Sequence, residues 1–398
     1  MKKVELLAPA GDILRGKMAL DFGADAIYLG AQQFSLRARS SNFDFNALKE
    51  IDTYAKKNNK KIYLVTNILA TNFLVNDFNN FLDEVLKYCT PDAFICGDPY
   101  IIEVIKKRCP KAQIHITTQQ SISNSKAALF WNRNGADRII LSREVSYNEL
   151  VPLIKNVENK IDIEVFIHGA VCIAYSGRCM LSNNFTYRDA NIGGCAQSCR
   201  WNCDMYDEEM NLIAKNFTMS AKDMAQMKNI PKLIDAGVKS FKIEGRMKSE
   251  YYLATVVNAY KNQIEFYNTN NKLSAEFEND LYKAANRMVS TAWFDGLPGI
   301  DKMLYHDVAT TVKQNYAFSI KEKLDDTTYL VFVRNFFDIK NMKFEILSKN
   351  YPKNFDVEIS NMNINNIDMT IAKTPMSIAK IIFSKPLNLS ENDIGRIK

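Results

Sequence analysis

Short apolar runs alternate with amphipathic stretches along the first 250 residues of the chain. The runs are apolar almost throughout, as expected of parallel strands that are covered on both faces. The stretches between them have helical periodicity, and several end in a Gly-Ala-Asp or Ala-Gly-Val phrase whose glycine suits a helix C-terminus. The predicted strands span residues 4–10, 26–30, 61–67, 93–98, 114–119, 138–143, 163–169 and 240–246.

Eight strands separated by helices predict a closed (β/α)₈, TIM-like barrel over residues 1–310. An open doubly wound sheet is the runner-up, but no Gly-x-Gly-x-x-Gly turn follows the first strand. From about residue 313 the pattern changes to period-two segments separated by Asp, Asn, Pro and Lys turns. This pattern predicts a small all-β domain, of barrel or sandwich type, over residues 311–398.

The connection after the seventh predicted strand covers residues 170–221, whereas such connections usually have roughly two to six residues. It contains five of the chain's eight cysteines. In a barrel of this type the active site lies at the carboxyl ends of the strands, where this connection begins. The cysteine-rich loop is therefore expected on the catalytic face. Its cysteines are Cys172, Cys179, Cys195, Cys199 and Cys203.

The first residues read as a strand and not as a signal peptide, and no window of roughly eighteen apolar residues follows. We therefore expect a cytoplasmic protein without a membrane segment. Thiols stay reduced in that compartment, which favours a metal or iron–sulfur site over disulfides. The formal charge of +6 is only mildly basic, so it permits an RNA partner without indicating one.

Three kinds of chemistry fit the cysteine-rich loop. Thiolates suit an iron–sulfur cluster, but the intervals of six, fifteen, three and three residues match neither ferredoxins nor zinc ribbons. A thiol peptidase would pair Cys172 with His168 near the same strand end. A structural zinc site would stabilise a loop that docks a partner. The intervals leave these alternatives open.

Polar residues at the predicted strand ends are the candidates for chemistry. His168 is the best acid–base candidate by position. Glu244 and Arg246 are the further catalytic candidates, and Glu244 either accepts a proton or forms an internal salt bridge with Arg246. His115 lies in the middle of a strand and is expected to be a core residue. The other polar strand ends and the proline that ends the first run are Pro9, Asn67, Asp98, Gln119, Gln120 and Arg143.

Two segments around the first cysteines, EVFIHGAVC (164–172) and GRCMLS (177–182), resemble the signature of the collagenase-like peptidase family. Three further phrases match in order along the chain. They are LAPAG (7–11), CAQSCRW (195–201) and SFKIEGRMK (240–248). The resemblance covers roughly residues 1–310, and the β tail also fits the family.

This resemblance implies two kinds of activity. Older assignments call family members proteases, whereas better-understood members hydroxylate without oxygen: a tRNA wobble uridine, a ribosomal RNA cytidine, or an intermediate of ubiquinone synthesis. Those members hold a 4Fe–4S cluster by four cysteines and use prephenate as the hydroxyl source. The chain most resembles the branch that converts wobble uridine to 5-hydroxyuridine, so the expected partner is tRNA. The alternatives are a collagenase-like peptidase, a ribosomal RNA cytidine hydroxylase and a non-catalytic, zinc-stabilised binding protein.

The resemblance also assigns residues. Cys172, Cys179 and Cys195 match cluster ligands, and Cys199 is preferred to Cys203 as the fourth because it continues the CAQSC phrase.

A dianionic prephenate requires cations, and arginine suits bidentate carboxylate binding. A flipped base requires an aromatic platform, although a core role is the simpler interpretation of each candidate. The arginine candidates are Arg37, Arg39, Arg143 and Arg246. The aromatic candidates are Trp201, Tyr175 and Phe185.

Overall fold

The computed structural model describes residues 3–36, 42–285, 287–305, 315–351 and 353–398. Its first seven strands pair in parallel in the order in which they follow one another along the chain. Apart from small differences at their ends, they coincide with the strands that the sequence predicts. They are β1 (Glu5–Pro9), β2 (Ala26–Leu29), β3 (Lys61–Val65), β4 (Ala93–Cys96), β5 (Gln113–Ile116), β6 (Arg138–Ile140) and β7 (Asp162–Gly169).

Helices connect these strands, and side-chain caps fix where several of them begin. Asp44 accepts a hydrogen bond from the Ala47 backbone at 2.8 Å. Asp98 accepts bonds from the first turn of the helix that Pro99 starts, so it satisfies donors that the helix cannot pair itself. The helices are α1 (Ile13–Asp21), α2 (Phe45–Lys57), α3 (Asn72–Tyr88), α4 (Pro99–Arg108), α5 (Ser125–Arg133) and α6 (Tyr147–Val157).

The cysteine-rich loop after β7 contains structure that the sequence pattern did not predict. It holds the short helix α7 (Leu181–Thr186) and an antiparallel hairpin of β8 (Cys203–Tyr206) and β9 (Leu212–Phe217). The loop ends in β10 (Asp223–Ala225), which pairs antiparallel with β7.

The eighth parallel strand closes the barrel. Helix α8 (Ile230–Ala236) leads into β11 (Ser240–Ile243), which pairs in parallel with both β7 and β1. The predicted (β/α)₈ barrel is thereby confirmed. Helices α9 (Glu250–Asn270) and α10 (Ala275–Lys283) and the short strand β12 (Val289–Ser290) complete this part of the chain.

The C-terminal part is all-β and antiparallel, as the period-two pattern predicts. The boundary expected at residue 310 lies within 306–314, outside the described residues. The strands are β13 (Tyr316–Lys323), β14 (Thr328–Val333), β15 (Phe337–Asp338), β16 (Phe344–Leu347), β17 (Phe355–Val357), β18 (Ile359–Ile364), β19 (Ile367–Asp368), β20 (Ile371–Ala372), β21 (Ile378–Phe383) and β22 (Ile394–Ile397).

None of the helices in the described ranges is long and apolar enough to cross a lipid bilayer.

Charged side chains fill the amino-terminal end of the barrel interior. Glu164 is fully buried and accepts hydrogen bonds from Arg138 at 3.1 Å and from Lys242 at 3.0 Å. Glu5 lies 2.5 Å from the same Arg138 guanidinium, which holds the pKa of this carboxyl below its usual range although burial opposes the shift. Because these ions are paired, their burial is tolerated. Above them the interior is apolar, with Tyr28 and Phe166 among its side chains.

A buried ion network joins the β domain to helix α10. Arg396 is fully buried, with its Nε 2.9 Å from Glu345 and its Nη2 3.3 Å from Asp280. Lys283 lies 2.8 Å from both of those carboxylates. The two parts of the chain therefore share a desolvated contact whose charges balance.

Replacing Arg396 with methionine is expected to lower the free energy of unfolding by about 3 kcal/mol. Two buried carboxylates then share only Lys283, and uncompensated buried charge is costly. Urea unfolding followed by circular dichroism measures the change. The control is Lys398→Met, which breaks an exposed ion pair with Asp356 and should leave the midpoint unchanged. Equal midpoints for the two variants would contradict the assignment.

Candidate active site at the barrel mouth

The cysteine-rich loop leaves the barrel at Gly169, the last residue of β7. Gly169 has a φ of +107°, and a Cβ there would lie 2.5 Å from the backbone oxygen of Glu244. Only glycine fits this close approach without strain. Cys172 follows three residues later, so the first cysteine lies where β7 and β11 end together.

Contacts to the loops after β5 and β6 hold the cysteine-rich loop over the barrel. The Ser121 hydroxyl donates to the backbone oxygen of Ser176. The Ser176 amide donates to the Glu144 carboxylate at 3.0 Å. At Gly177, with a φ of +75°, an added Cβ would lie 2.1 Å from the Gln119 carbonyl oxygen. The loop is thus fixed at the carboxyl ends of the strands, as the sequence led us to expect.

All eight cysteines are free thiols. Burial raises the pKa of the Cys199 thiol, and the charge of Arg200 opposes this effect. Three other thiols raise the pKa of Cys199 further, those of Cys172, Cys195 and Cys179. Those three thiols therefore lie within electrostatic reach of Cys199. Within the described ranges, no three His, Cys, Asp or Glu side chains are close enough together to hold a single metal ion.

Arg143 and Glu244 face each other at the barrel mouth. Their closest side-chain atoms, Nη2 and Oε2, are 3.6 Å apart, and the two side chains are 10% and 15% exposed. The central carbon of the Arg143 guanidinium lies 3.9 Å from the centre of the Phe166 ring, within the range of a cation–π contact. The Tyr28 hydroxyl lies 3.4 Å from the same carboxylate oxygen of Glu244. The mouth therefore contains a cation, a carboxylate and an aromatic floor.

A second carboxylate, Asp223, lies beside this pair at the start of β10. Lys248 and Arg287 approach its two oxygens at 3.6 Å and 3.5 Å. Burial raises the pKa of Asp223, Lys248 and Arg200 lower it, and the charge of Glu244 raises it further. Met224, the next residue, pairs with Gly169 at the end of β7, so Asp223 lies at the mouth of the barrel.

Arg246 lies under the loop after β2. Its guanidinium is buried and donates hydrogen bonds to Ser35 at 2.8 Å and to the Asn42 side chain. It thus contacts two residues that flank the stretch 37–41, and Arg37 and Arg39 lie outside the described residues. Its assignment as a catalytic group stays a prediction.

The aromatic side chains proposed as base platforms occupy two places. Trp201 is 45% exposed and meets Phe185 edge-on, with ring centres 6.5 Å apart. The ring centre of Tyr175 instead lies 5.7 Å from that of Trp293, a residue that no sequence pattern had marked as functional. None of the three sequence candidates is buried, so the core role does not apply to them.

His168 faces away from the barrel mouth. Its Nδ1 lies 3.3 Å from the Tyr260 hydroxyl, and its ring packs against Tyr252 and Tyr260 of α9. Burial, with the nearby charge of Lys248, lowers the pKa of His168 to about 3. A buried ring that stays neutral is poorly suited to exchange protons with a substrate. The acid–base role stays a prediction, and this environment disfavours it.

The strand pairing explains why the sequence misplaced this ring. Glu164 and Phe166 face the barrel interior, so strict alternation along β7 predicts the same for His168. The register between β7 and β11 shifts after Lys242, and Ile243 pairs with His168. Such an irregularity turns the following side chain to the other face.

Comparison with known proteins identifies the family of the chain. A model described as Peptidase family U32 matches residues 11–304. The chain belongs to this family.

Three relatives represent the activities found among similar proteins. "tRNA hydroxylation protein P1" of Bacillus subtilis (strain 168) is 42% identical over 349 residues, which cover 84% of this chain and 82% of that protein. "tRNA hydroxylation protein P" of Escherichia coli (strain K12) is 33% identical over 67% of this chain and 68% of its own length. A protein named "Collagenase" from Porphyromonas gingivalis (strain ATCC BAA-308 / W83) is 32% identical over 66% of each chain.

In this U32 protein, sequence reasoning missed Asp223, Lys248 and Arg287. They come from β10, from the turn after β11 and from the segment before β12. No periodic pattern joins such distant positions. The one available signal was that Asp223 directly follows the cysteine-rich loop, at the point where the chain returns to the barrel.

Replacing His168 with phenylalanine is expected to make stability less dependent on pH between about 3 and 6.5. The folded ring resists protonation down to about pH 3, whereas an unfolded histidine binds a proton near pH 6.5. Between these values the unfolded state binds more protons, so wild-type stability falls as the pH falls, by about 1.4 kcal/mol per pH unit from this group. Urea unfolding of both proteins from pH 7 to pH 4 measures the difference. Parallel curves would show that the ring titrates normally.

Proposed function

We propose that this U32 protein hydroxylates the wobble uridine of tRNA to 5-hydroxyuridine without oxygen, with prephenate as the hydroxyl source and a 4Fe–4S cluster as cofactor. The relatives named tRNA hydroxylation proteins support the RNA target, and one of them covers 84% of the chain at 42% identity. The observation that carries the proposal is the position of four free thiols at the mouth of a barrel whose carboxyl end is the usual catalytic face.

The residues proposed to hold the cluster are Cys172, Cys179, Cys195 and Cys199. Thiolates are the ligands that iron–sulfur clusters use. A cluster spreads its ligands more widely than a single ion does, because each thiolate binds a different iron. The thiols of Cys172, Cys179 and Cys195 lie within electrostatic reach of Cys199, as the four ligands of one cluster would. When bound, the cluster would supply one-electron chemistry.

The cations of the barrel mouth suit a small dianion such as prephenate. Arg143 is already in contact with Phe166 and beside Glu244, so it loses little conformational freedom when it binds a carboxylate. Lys248 and Arg287 lie around Asp223 and provide further positive charge. A carboxylate ligand would compete with Glu244 and Asp223 for these partners, which allows it to be released again.

Hydroxylation at C5 of uridine requires that a hydrogen leave the ring. Asp223 and Glu244 are the carboxyl groups of the mouth, and the raised pKa of Asp223 brings this group closer to neutral pH. A group whose pKa lies near the working pH exchanges protons efficiently. Asp223 and Glu244 lie at the mouth, whereas His168 packs against α9, so the two carboxylates are better placed for proton exchange with a substrate.

Deletion of the gene that encodes this chain is expected to remove 5-hydroxyuridine and its derivatives from total tRNA. Mass spectrometry of digested tRNA measures them, and expression of the gene in the deletion strain should restore them. Unchanged nucleosides, in a strain without a second copy of the gene, would contradict the proposal.

A gelatin assay tests the peptidase alternative that the relative named "Collagenase" suggests. If purified protein cleaves gelatin and Cys172→Ala abolishes this cleavage, that alternative is correct.

Substituting one cysteine at a time distinguishes the fourth ligand. Protein purified without oxygen is expected to lose most of its iron and sulfide in Cys199→Ser, because three thiolates hold a four-iron cluster poorly. Cys203→Ser is the matched control and should retain both, since Cys203 lies at the start of β8 and is not among the thiols that raise the pKa of Cys199. Iron and acid-labile sulfide per chain are the readouts. Loss in Cys203→Ser with retention in Cys199→Ser would reverse the assignment.

A further inference from the structure

A cleft with a volume of about 370 Å³ opens beside Cys172. This volume falls within the roughly 300–1,000 Å³ of pockets that hold small ligands. Its walls come from the first residues of the cysteine-rich loop and from the segment 290–305. Neither the family match nor the names of the relatives assign a role to it. The side chains that matter for its chemistry are Cys172, Lys222, Trp293, Leu297, Lys302 and Tyr305.

Backbone hydrogen bonds make the floor of this cleft rigid. The Lys222 amide donates to the Lys302 carbonyl at 3.0 Å, and the Leu304 amide donates to Ser220 at 2.8 Å. The Thr218 amide donates to the Tyr305 carbonyl at 2.9 Å. The returning arm of the cysteine-rich loop and the segment before residue 306 thus form one paired unit. A ligand on this floor is positioned relative to the cysteines.

Two aromatic side chains line the cleft. Trp293 is half-buried and lies 5.7 Å from the ring centre of Tyr175. Tyr305 stacks on Phe217 with ring centres 5.5 Å apart and an angle of 10° between the rings. The preceding residue of Trp293, Ala292, is buried with a φ of +48°, a strained conformation that its packing must hold in place. The backbone that carries the indole is therefore held in place by packing, and the indole itself contacts Tyr175.

The charged side chains that line the cleft are both lysines, Lys222 and Lys302. Lys302 donates to Thr291 at 3.0 Å and shares its charge with the exposed Asp301 at 3.5 Å. Lys222 is half-buried, and no ion pair of the described part of the chain involves it. An aromatic wall with ammonium groups beside it matches a nucleotide, whose base stacks and whose phosphate is anionic.

We infer that this cleft binds one unpaired pyrimidine nucleotide of an RNA loop, with the base against Trp293 and Tyr305 and the phosphate near Lys222 and Lys302. The inference rests on the proposed function and names the place where its substrate enters. A base bound there lies next to Cys172, one of the proposed cluster ligands. The exposed Leu297 and Ile300 form an apolar rim that excludes water around the base.

Cross-linking locates the nucleotide independently of catalysis. An anticodon stem-loop with 4-thiouridine at the wobble position is irradiated with the wild-type protein purified without oxygen, and the linked peptides are identified by mass spectrometry. The expected linked residues lie within 171–175 or 290–305. Cross-links that fall elsewhere overturn the inference. The inference is also overturned if a gelatin peptide prevents cross-linking at the cleft and unlabelled tRNA does not.

Kinetics distinguish a base platform from a structural role. Trp293→Ala is expected to raise KM for tRNA about tenfold or more, because a stacking contact is lost, whereas Trp293→Phe should restore most of the affinity. Iron content should stay at the wild-type level in both variants.

Lys222→Ala should weaken the binding of tRNA and make this binding less sensitive to salt. The control is Phe130→Ala on α5, an exposed aromatic outside the cleft, which should leave KM unchanged.

The two proposals fail in different ways. Wild-type protein that cross-links through the cleft but forms no 5-hydroxyuridine overturns the proposed function and leaves the cleft as an RNA site. Wild-type protein that hydroxylates tRNA, with an unchanged KM in Trp293→Ala, overturns the cleft as the nucleotide site and leaves the function.

Discussion

The pairing of β11 with both β7 and β1 is the constraint on which the remaining structure depends. It turns a row of parallel strands into a closed ring, so that all carboxyl ends meet at one mouth. The paired charges of Glu164, Arg138 and Lys242 lie inside the ring at the opposite end. Since the interior is filled, the mouth is the face where ligands can collect. Gly169 and Glu244, at the ends of the two paired strands, mark it.

The cysteine-rich loop follows directly from that closure. It begins at the end of β7 and must return to the barrel before β11, and its contacts with Ser121 and Glu144 hold it across the mouth. The thiols, the Arg143–Glu244 pair and Asp223 are thereby gathered on one side of the molecule. The same return path, paired with the segment 299–305, forms the cleft beside Cys172. One loop therefore builds both the proposed cofactor site and the proposed nucleotide site.

The β domain is attached on the outer side, through the helices that follow β11. Its buried Arg396 balances Asp280 and Glu345 at that contact, and Tyr251 of α9 stacks on Tyr316 with ring centres 4.9 Å apart. These contacts tie the domain to α9, the helix whose Tyr252 and Tyr260 also cover His168. Helix α9 thus contacts both the β domain, through Tyr251, and His168 at the end of β7, through Tyr252 and Tyr260.

Local patterns in the sequence determined the eight strands, the β tail and the position of the cysteines at the mouth, because periodicity and loop length are properties of neighbouring residues. The tertiary structure alone decided the rest. A register shift between β7 and β11 turned His168 toward α9, and no local signal marks such a shift. Asp223, Lys248 and Trp293 come together only because distant segments pair across the mouth. Side-chain contacts of this kind depend on closure of the whole ring, which no single stretch of sequence contains.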